Sequence, residues 1–149
     1  MTGRVGADEK NPADEINSAY SETVIDHARN PRNAGMIPNA DGHARITGPC
    51  GDTMSIWLRV RDGIITQAAF WTDGCGTTIA AGSMATELAK GKRASQALGI
   101  SQQEVLDALG GLPEDSVHCA LLAANTLKEA VRDYMAFRNE PWKRDYRKD

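Results

Sequence analysis

The sequence predicts an α+β fold with a small sheet, and three observations carry that expectation. Met54 to Val60 alternates between apolar and polar residues, Asp62-Gly63 follows as a tight-turn dipeptide, and helix-period segments lie before and after this pair of strands. Strands grouped together, with helices grouped apart from them, point to α+β rather than to alternating α/β units. The 149 residues suffice for one domain with a sizeable core.

The elements follow in order. Met1 to Asn17 carries almost no apolar side chains and is expected to be a flexible N-terminal segment, residues 1–17. Ser18 to Asn30 has helical spacing, with Tyr20, Val24, Ile25 and Ala28 on one stripe, His27 at its surface or edge, and Pro31 to end it. The Asn-, Gly- and Pro-rich stretch up to Gly48 reads as loop, with one short strand near Ala44–Thr47 and His43 in the loop. In the hairpin, Met54, Ile56, Leu58 and Val60 face one way, and Ser55, Trp57 and Arg59 face the other. Gly63 accepts the positive φ of the turn, and Ile64 to Thr72 is the returning strand.

Thr77 to Lys90 is helical, with Ile79, Met84 and Leu88 toward the core and Gly91 at the C-terminal cap. Ser101 to Glu104 is a capping-box pattern for a short helix closed by Gly110-Gly111. A last helix spans about His118 to Phe137, with Leu121, Leu122, Leu127, Val131 and Tyr134 as its apolar stripe. The domain is thus expected over residues 18–138, and a polar C-terminal tail over residues 139–149.

Composition excludes several classes. Charged residues make up 25% and hydrophobic ones 41%, the balance of a soluble protein. A net charge of -3 gives no footing for nucleic acid. No apolar run approaches the roughly 20 residues of a membrane helix, and the first residues lack an apolar secretory core. Three cysteines form no tidy disulfide framework, so reduced thiols and a cytoplasmic location are expected.

Those cysteines carry the chemistry. Cys50 sits in Gly-Pro-Cys-Gly-Asp with Asp52 two residues on, Cys75 sits in Asp-Gly-Cys-Gly, and Cys119 follows His118. Cys50 precedes the first hairpin strand and Cys75 follows the second, so antiparallel pairing brings Cys50, Asp52 and Cys75 together. Cys75 precedes one helix and Cys119 opens another, where free amides and the helix dipole favour a thiolate. Gly74 and Gly76 leave the Cys75 sulfur open to a partner, although a plain turn explains them equally. Asp52 is a hard oxygen donor beside soft sulfurs, a combination suited to a cargo that must leave. No Cys-x-x-Cys or His-x-x-x-His pair exists, so a zinc finger or ribbon is excluded. Zinc, iron and an iron–sulfur cluster all remain compatible with this donor set.

Tyr20 to His27, Asn30-Pro31-Arg32-Asn33, Cys50-Gly51-Asp52, Gly74-Cys75-Gly76, Lys90-Gly91-Lys92 and His118-Cys119 occur in one order across most of the chain. In this the chain resembles the NifU/IscU-type iron–sulfur cluster assembly scaffolds. The resemblance implies a small, mostly antiparallel three-stranded sheet packed against several helices. It also implies a scaffold rather than an enzyme, one that takes sulfur from a cysteine desulfurase, gathers iron, builds a labile [2Fe–2S] cluster and hands it to apo-proteins. An electron donor such as ferredoxin would complete the set of partners, and a homo-oligomer is compatible with it.

By position, the resemblance implies Cys50, Cys75 and Cys119 as cluster thiols, with Cys119 the persulfide acceptor. Asp52 would be the tuning ligand and His118 an alternative ligand. Zinc would fill the same site when no cluster is present. The alternative is a zinc-dependent sulfur acceptor that serves a desulfurase without ever holding a cluster. The family's Leu-Pro-Pro-Val-Lys segment, which docks a dedicated Hsp70 chaperone, is replaced by Leu112-Pro113-Glu114-Asp115-Ser116, so that partner is not implied. The chain also lacks the SufU branch's insertion before the third cysteine, which favours the scaffold branch.

Overall fold

A computed structural model describes residues 20–140 and 142. The expected flexible segment, residues 1–17, and all of the expected tail beyond Glu140 except Trp142 lie outside the described residues. The chain runs α1 (Glu22–Arg29), β1 (Gly42–Thr47), β2 (Thr53–Arg61), β3 (Ile64–Thr72), α2 (Gly76–Ala89), α3 (Ala94–Ala97), α4 (Gln102–Leu109), a 3-10 turn (Glu114–Ser116) and α5 (Val117–Phe137). The sheet has the order β1-β2-β3, and both pairings are antiparallel. The α+β expectation holds.

The hairpin register sets the core. Met54, Ile56 and Leu58 are fully buried on the face that α2 and α5 cover, joined there by Ile65, Phe70, Leu127 and Val131. On the opposite face Arg45, Ser55 and Trp71 lie side by side on the three strands. The Arg45 guanidinium reaches over the Trp71 ring at 5.2 Å from its centroid. Ser55, expected to face outward, lies beneath this cation–π pair and is buried. His43 lies within β1 rather than in a loop, and its ring stacks on Trp57 at 5.0 Å.

Two helical expectations change. α1 begins at Glu22, where the Ser21 hydroxyl accepts from Val24 N. Its buried side chains are Val24 and His27, so His27 is an interior residue rather than a surface one. His27 Nδ1 lies 2.7 Å from Ser83 Oγ, which also accepts from Arg32 N at 2.8 Å. α2 presents small residues to its neighbours: Ala80, Ala81, Ser83, Ala85 and Thr86 are buried, while Ile79, Met84 and Leu88 are only partly covered. This helix is surrounded by β3, α1, α4 and α5. Close approach from several sides selects small side chains, which a search for one large apolar stripe overlooks.

The Asn30–Asn33 segment acts as a strap. Asn33 donates to Thr86 Oγ1 and Glu87 Oε2 of α2, and its carbonyl accepts from Phe70 N of β3. At the other end of the core, Ser101 caps α4 by accepting from Glu104 N, and Gly110 closes it in the left-handed conformation. Among the described residues no helix is long and apolar enough to cross a membrane.

Candidate metal and sulfur site

The site forms where the open end of the hairpin meets the first turns of α2 and α5. A tight turn carries Cys50: Gly51 N donates to Gly48 O, and Gly48 N donates to Asp52 O, so Pro49 and Cys50 occupy the corners. Gly51 has φ of 98°, which glycine adopts without strain. The hairpin ends are then tied, because Thr53 N donates to Asp73 Oδ1 and Thr72 Oγ1 donates to Thr53 O. Asp52 and Gly74 are thereby brought face to face. A Cβ on Gly74 would sit 2.6 Å from Thr78 Cβ and 2.8 Å from Asp52 Oδ2. The glycine before Cys75 is therefore a steric requirement of the site rather than only a turn residue.

Cys75 is the N-cap residue of α2, and Cys119 lies in the first turn of α5. Two hydroxyls from the first turn of α2 connect them. Thr77 Oγ1 lies 3.2 Å from Cys75 Sγ and 3.4 Å from Cys119 Sγ. Thr78 Oγ1 donates to Asp52 Oδ2 at 2.9 Å and lies 3.4 Å from Cys119 Sγ. Asp52, Cys75 and Cys119 thus form one hydrogen-bonded set.

Cys50, expected to join Asp52 and Cys75 through the hairpin, stands apart from that set because the turn over residues 48–51 carries it to the surface. It is exposed and lines an adjoining, mainly apolar cleft of about 140 Å³ together with Ile46, Pro49, His118, Leu121 and Leu122. Leu121, expected in the core, is 42% exposed because its side of α5 forms this cleft. His118 joins the two halves: it lines the cleft beside Cys50, and its Nε2 lies 3.8 Å from Cys119 Sγ. Among the described residues, no three His, Cys, Asp or Glu side chains stand in a ready-made ligand geometry. Ligation by these donors therefore needs side-chain rotation.

The two helix-start thiols differ in acidity. Burial pushes the Cys75 thiol up, but the hydroxyls and amides of Thr77 and Thr78 outweigh it, and the net shift is below the ordinary thiol value. Burial pushes the Cys119 thiol up as well, and here it wins. The Thr77 and Thr78 hydroxyls oppose it, while the charges of Cys75 and Asp52 reinforce it. The expectation that both helix starts favour a thiolate holds for Cys75 and reverses for Cys119, which is 2% exposed.

Hydrogen bookkeeping agrees with this split. Each threonine hydroxyl has one proton to give. Thr78 gives its proton to the Asp52 carboxylate, so its oxygen faces Cys119 Sγ at 3.4 Å as an acceptor. The one proton of Thr77 is shared between two sulfurs, Cys75 at 3.2 Å and Cys119 at 3.4 Å, and can serve only one of them at a time. Thr77 and Thr78 were not among the residues singled out from the sequence. The signal that marks them is two successive hydroxyl residues in the first turn after an N-cap cysteine. The donor set fits a thiophilic metal ion or an iron–sulfur cluster on its chemistry: thiols, one imidazole and one carboxylate.

Fold and site together define a small α+β thiol protein whose sulfurs and carboxylate meet at the edge of a three-stranded sheet. The chain belongs to the NifU-like N terminal domain family, which it matches over residues 19–141. It is similar to the iron-sulfur cluster assembly scaffold protein IscU 1 of Archaeoglobus fulgidus, at 49% identity over 116 residues, covering 77% of this chain and 76% of the relative. The protein of the same type, IscU, from Escherichia coli strain K12 is 43% identical over 125 residues, covering 80% of this chain and 97% of the relative. Among solved structures, a nitrogen-fixing NifU-like protein (N-terminal) from Brucella abortus shares the fold, with a TM-score of 0.62 at 21% identity, covering 81% of this chain and 97% of that one.

Proposed function

We propose that this protein is a scaffold on which a [2Fe–2S] cluster is assembled from iron and desulfurase-derived sulfur and then passed to apo-proteins. The observation that carries the reading is the hydrogen-bonded set of Asp52, Cys75 and Cys119 beside exposed Cys50 and His118. Soft thiolates hold the iron of a cluster firmly, whereas one hard carboxylate and a surplus of donors let the cargo exchange ligands and leave. The names carried by the relatives support the same role.

In this reading Cys50, Cys75 and Cys119 are the cluster thiols, Asp52 is the tuning ligand and His118 the alternative ligand. The sulfur-accepting step is a thiolate attack on the outer sulfur of a desulfurase persulfide. One S–S bond forms, one breaks, and the donor cysteine leaves as a thiolate. Cys119 is assigned as acceptor; because burial raises its thiol, the start of α5 has to be uncovered and the thiol has to release its proton to solvent when the donor docks. Each transferred sulfur then needs two electrons to reach sulfide, which a ferredoxin-type donor supplies. Zinc occupies the thiol set in the cluster-free protein. A cytoplasmic location and the domain limits of residues 18–138 belong to the same proposal.

Anaerobic incubation of the full chain with ferrous iron, cysteine, a cysteine desulfurase and a reductant tests it. The expected result is the visible absorption of a [2Fe–2S] cluster, which passes to an added apo-ferredoxin and is found with the ferredoxin when the two proteins are separated. A protein that stimulates the desulfurase but keeps zinc and never develops cluster absorption would instead be a zinc-dependent sulfur acceptor.

A further inference from the structure

Thr78 occupies a position that neither the metal donors nor Thr77 share. Its side chain is 0% exposed, and its Oγ1 donates to Asp52 Oδ2 at 2.9 Å. Asp52 sits on the turn that precedes β2, outside the ladder of the sheet. A carboxylate on such a turn has several rotamers open to it. Among the described residues, Thr78 is the side chain that donates to it. Gly74 shapes the opposite wall, because any Cβ there would come within 2.8 Å of the same oxygen. One oxygen of Asp52 is thus engaged by protein, and the carboxylate is held beside Cys119.

We infer that Thr78 is the positioning residue for Asp52: its hydroxyl fixes the carboxylate so that Asp52 joins Cys75 and Cys119 when a metal ion is bound. This rests on the scaffold reading, since it concerns the same thiol set. The physical warrant is that a carboxylate ligand held by a neighbouring donor loses little orientational freedom on ligation, whereas a free one has to be ordered at that moment. Thr78 touches no metal in this scheme; its hydroxyl reaches Asp52 Oδ2 at 2.9 Å and, more distantly, Cys119 Sγ at 3.4 Å. The inference assigns its effect on metal binding to the Asp52 contact, so removing the hydroxyl should matter only while Asp52 is present.

Cobalt(II) titration of the reduced, metal-free full chain, followed by absorbance, separates the possibilities. Thr78→Val keeps the shape and removes the donor. It is expected to weaken cobalt binding roughly tenfold, as the loss of such a supporting partner typically does. The sulfur-to-cobalt charge-transfer band should persist, because the thiolates still bind. The ligand-field bands should shift toward those of the Asp52→Ala protein. Thr78→Ser should bind like the parent chain, and adding Thr78→Val to Asp52→Ala should change nothing further.

Parent-like cobalt affinity and spectrum in Thr78→Val would overturn the inference, as would an equal loss in the Asp52→Ala background. Should Thr78→Val not fold, Thr78→Ala is compared with Thr78→Ser, and equal affinities of those two would overturn it. A parent protein that takes up no cobalt defeats the scaffold reading and this inference together. A parent that binds cobalt while every Thr78 variant matches it defeats this inference alone.

Discussion

The hydroxyl of Thr77 lies 3.4 Å from the sulfur of Cys119 while also touching that of Cys75 at 3.2 Å, so one side chain couples two cysteines that are 44 residues apart in the chain, from position 75 to position 119. That bridge divides labour between the thiols, with the Cys75 thiol held below the ordinary value, against burial, by the hydroxyls and amides of Thr77 and Thr78 and the Cys119 thiol pushed above it by burial.

The division predicts an order of alkylation. At about pH 8, near the ordinary thiol range, iodoacetamide should modify Cys75 at least ~10-fold faster than Cys119 in the metal-free protein. The half-maximal rate for Cys75 should fall below the ordinary thiol pKa. Thr77→Val should slow Cys75 by removing a donor to its thiolate. Peptide mass spectrometry against time reads all three effects, and equal rates at the two cysteines would contradict the division.

Gly74→Ala should be costly although the position is not in the core. The added Cβ would meet Thr78 Cβ and Oγ1 at 2.6 and 2.7 Å and Asp52 Oδ2 at 2.8 Å. Overpacking of this kind typically costs about 1–3 kcal/mol. Urea unfolding should show that loss, and cobalt binding should weaken with it because Asp52 is displaced. A stable variant with unchanged metal binding would mean that the hairpin end yields freely.

Stability should fall as the pH drops below about 6.5, the ordinary imidazole value. Burial holds His27 below that value, as does the Arg32 charge, while Asp26 and Glu87 act the other way. The unfolded chain then binds a proton that folded His27 refuses, so stability is fully present above the unfolded pKa and is lost as the pH falls through the window beneath it. His27→Gln should flatten this part of the stability profile, measured by urea unfolding at a series of pH values. An unchanged slope in that variant would place the dependence elsewhere.

Asp52→Ala should lengthen the lifetime of a reconstituted cluster in the presence of a chelator, even though it weakens equilibrium binding of a single ion. The oxygen ligand is the one that opens first to a competitor. Decay of the visible absorption measures it, and faster decay would contradict the tuning role.

Much of the architecture was legible because it is written locally. The alternation of Met54 to Val60, the Asp62-Gly63 turn, the Ser101 cap and the Gly110 stop are each specified by neighbours within a few residues, and the structure places all four as expected apart from the burial of Ser55 on the outer face. The burial of His27, the small-residue faces of α2 and the exposure of Leu121 were not legible. Each depends on which other element packs there. The four-residue helix α3 was missed because so short a segment carries no periodicity.

For the site, the sequence by itself determined the candidates: three cysteines, Asp52 and His118, with the hairpin expected to bring Cys50, Asp52 and Cys75 together at one end of the sheet. Only the tertiary structure decided their relations. It placed Thr77 and Thr78 between the thiols and the carboxylate, set Cys50 with His118 in a separate cleft, and buried Cys119 deeply enough to reverse its expected acidity. The physical reason is that residue spacing dictates which groups share a turn or a strand end. Desolvation and the direction of a single hydroxyl proton are settled by atoms distant in sequence that meet only when the α2 and α5 helices pack.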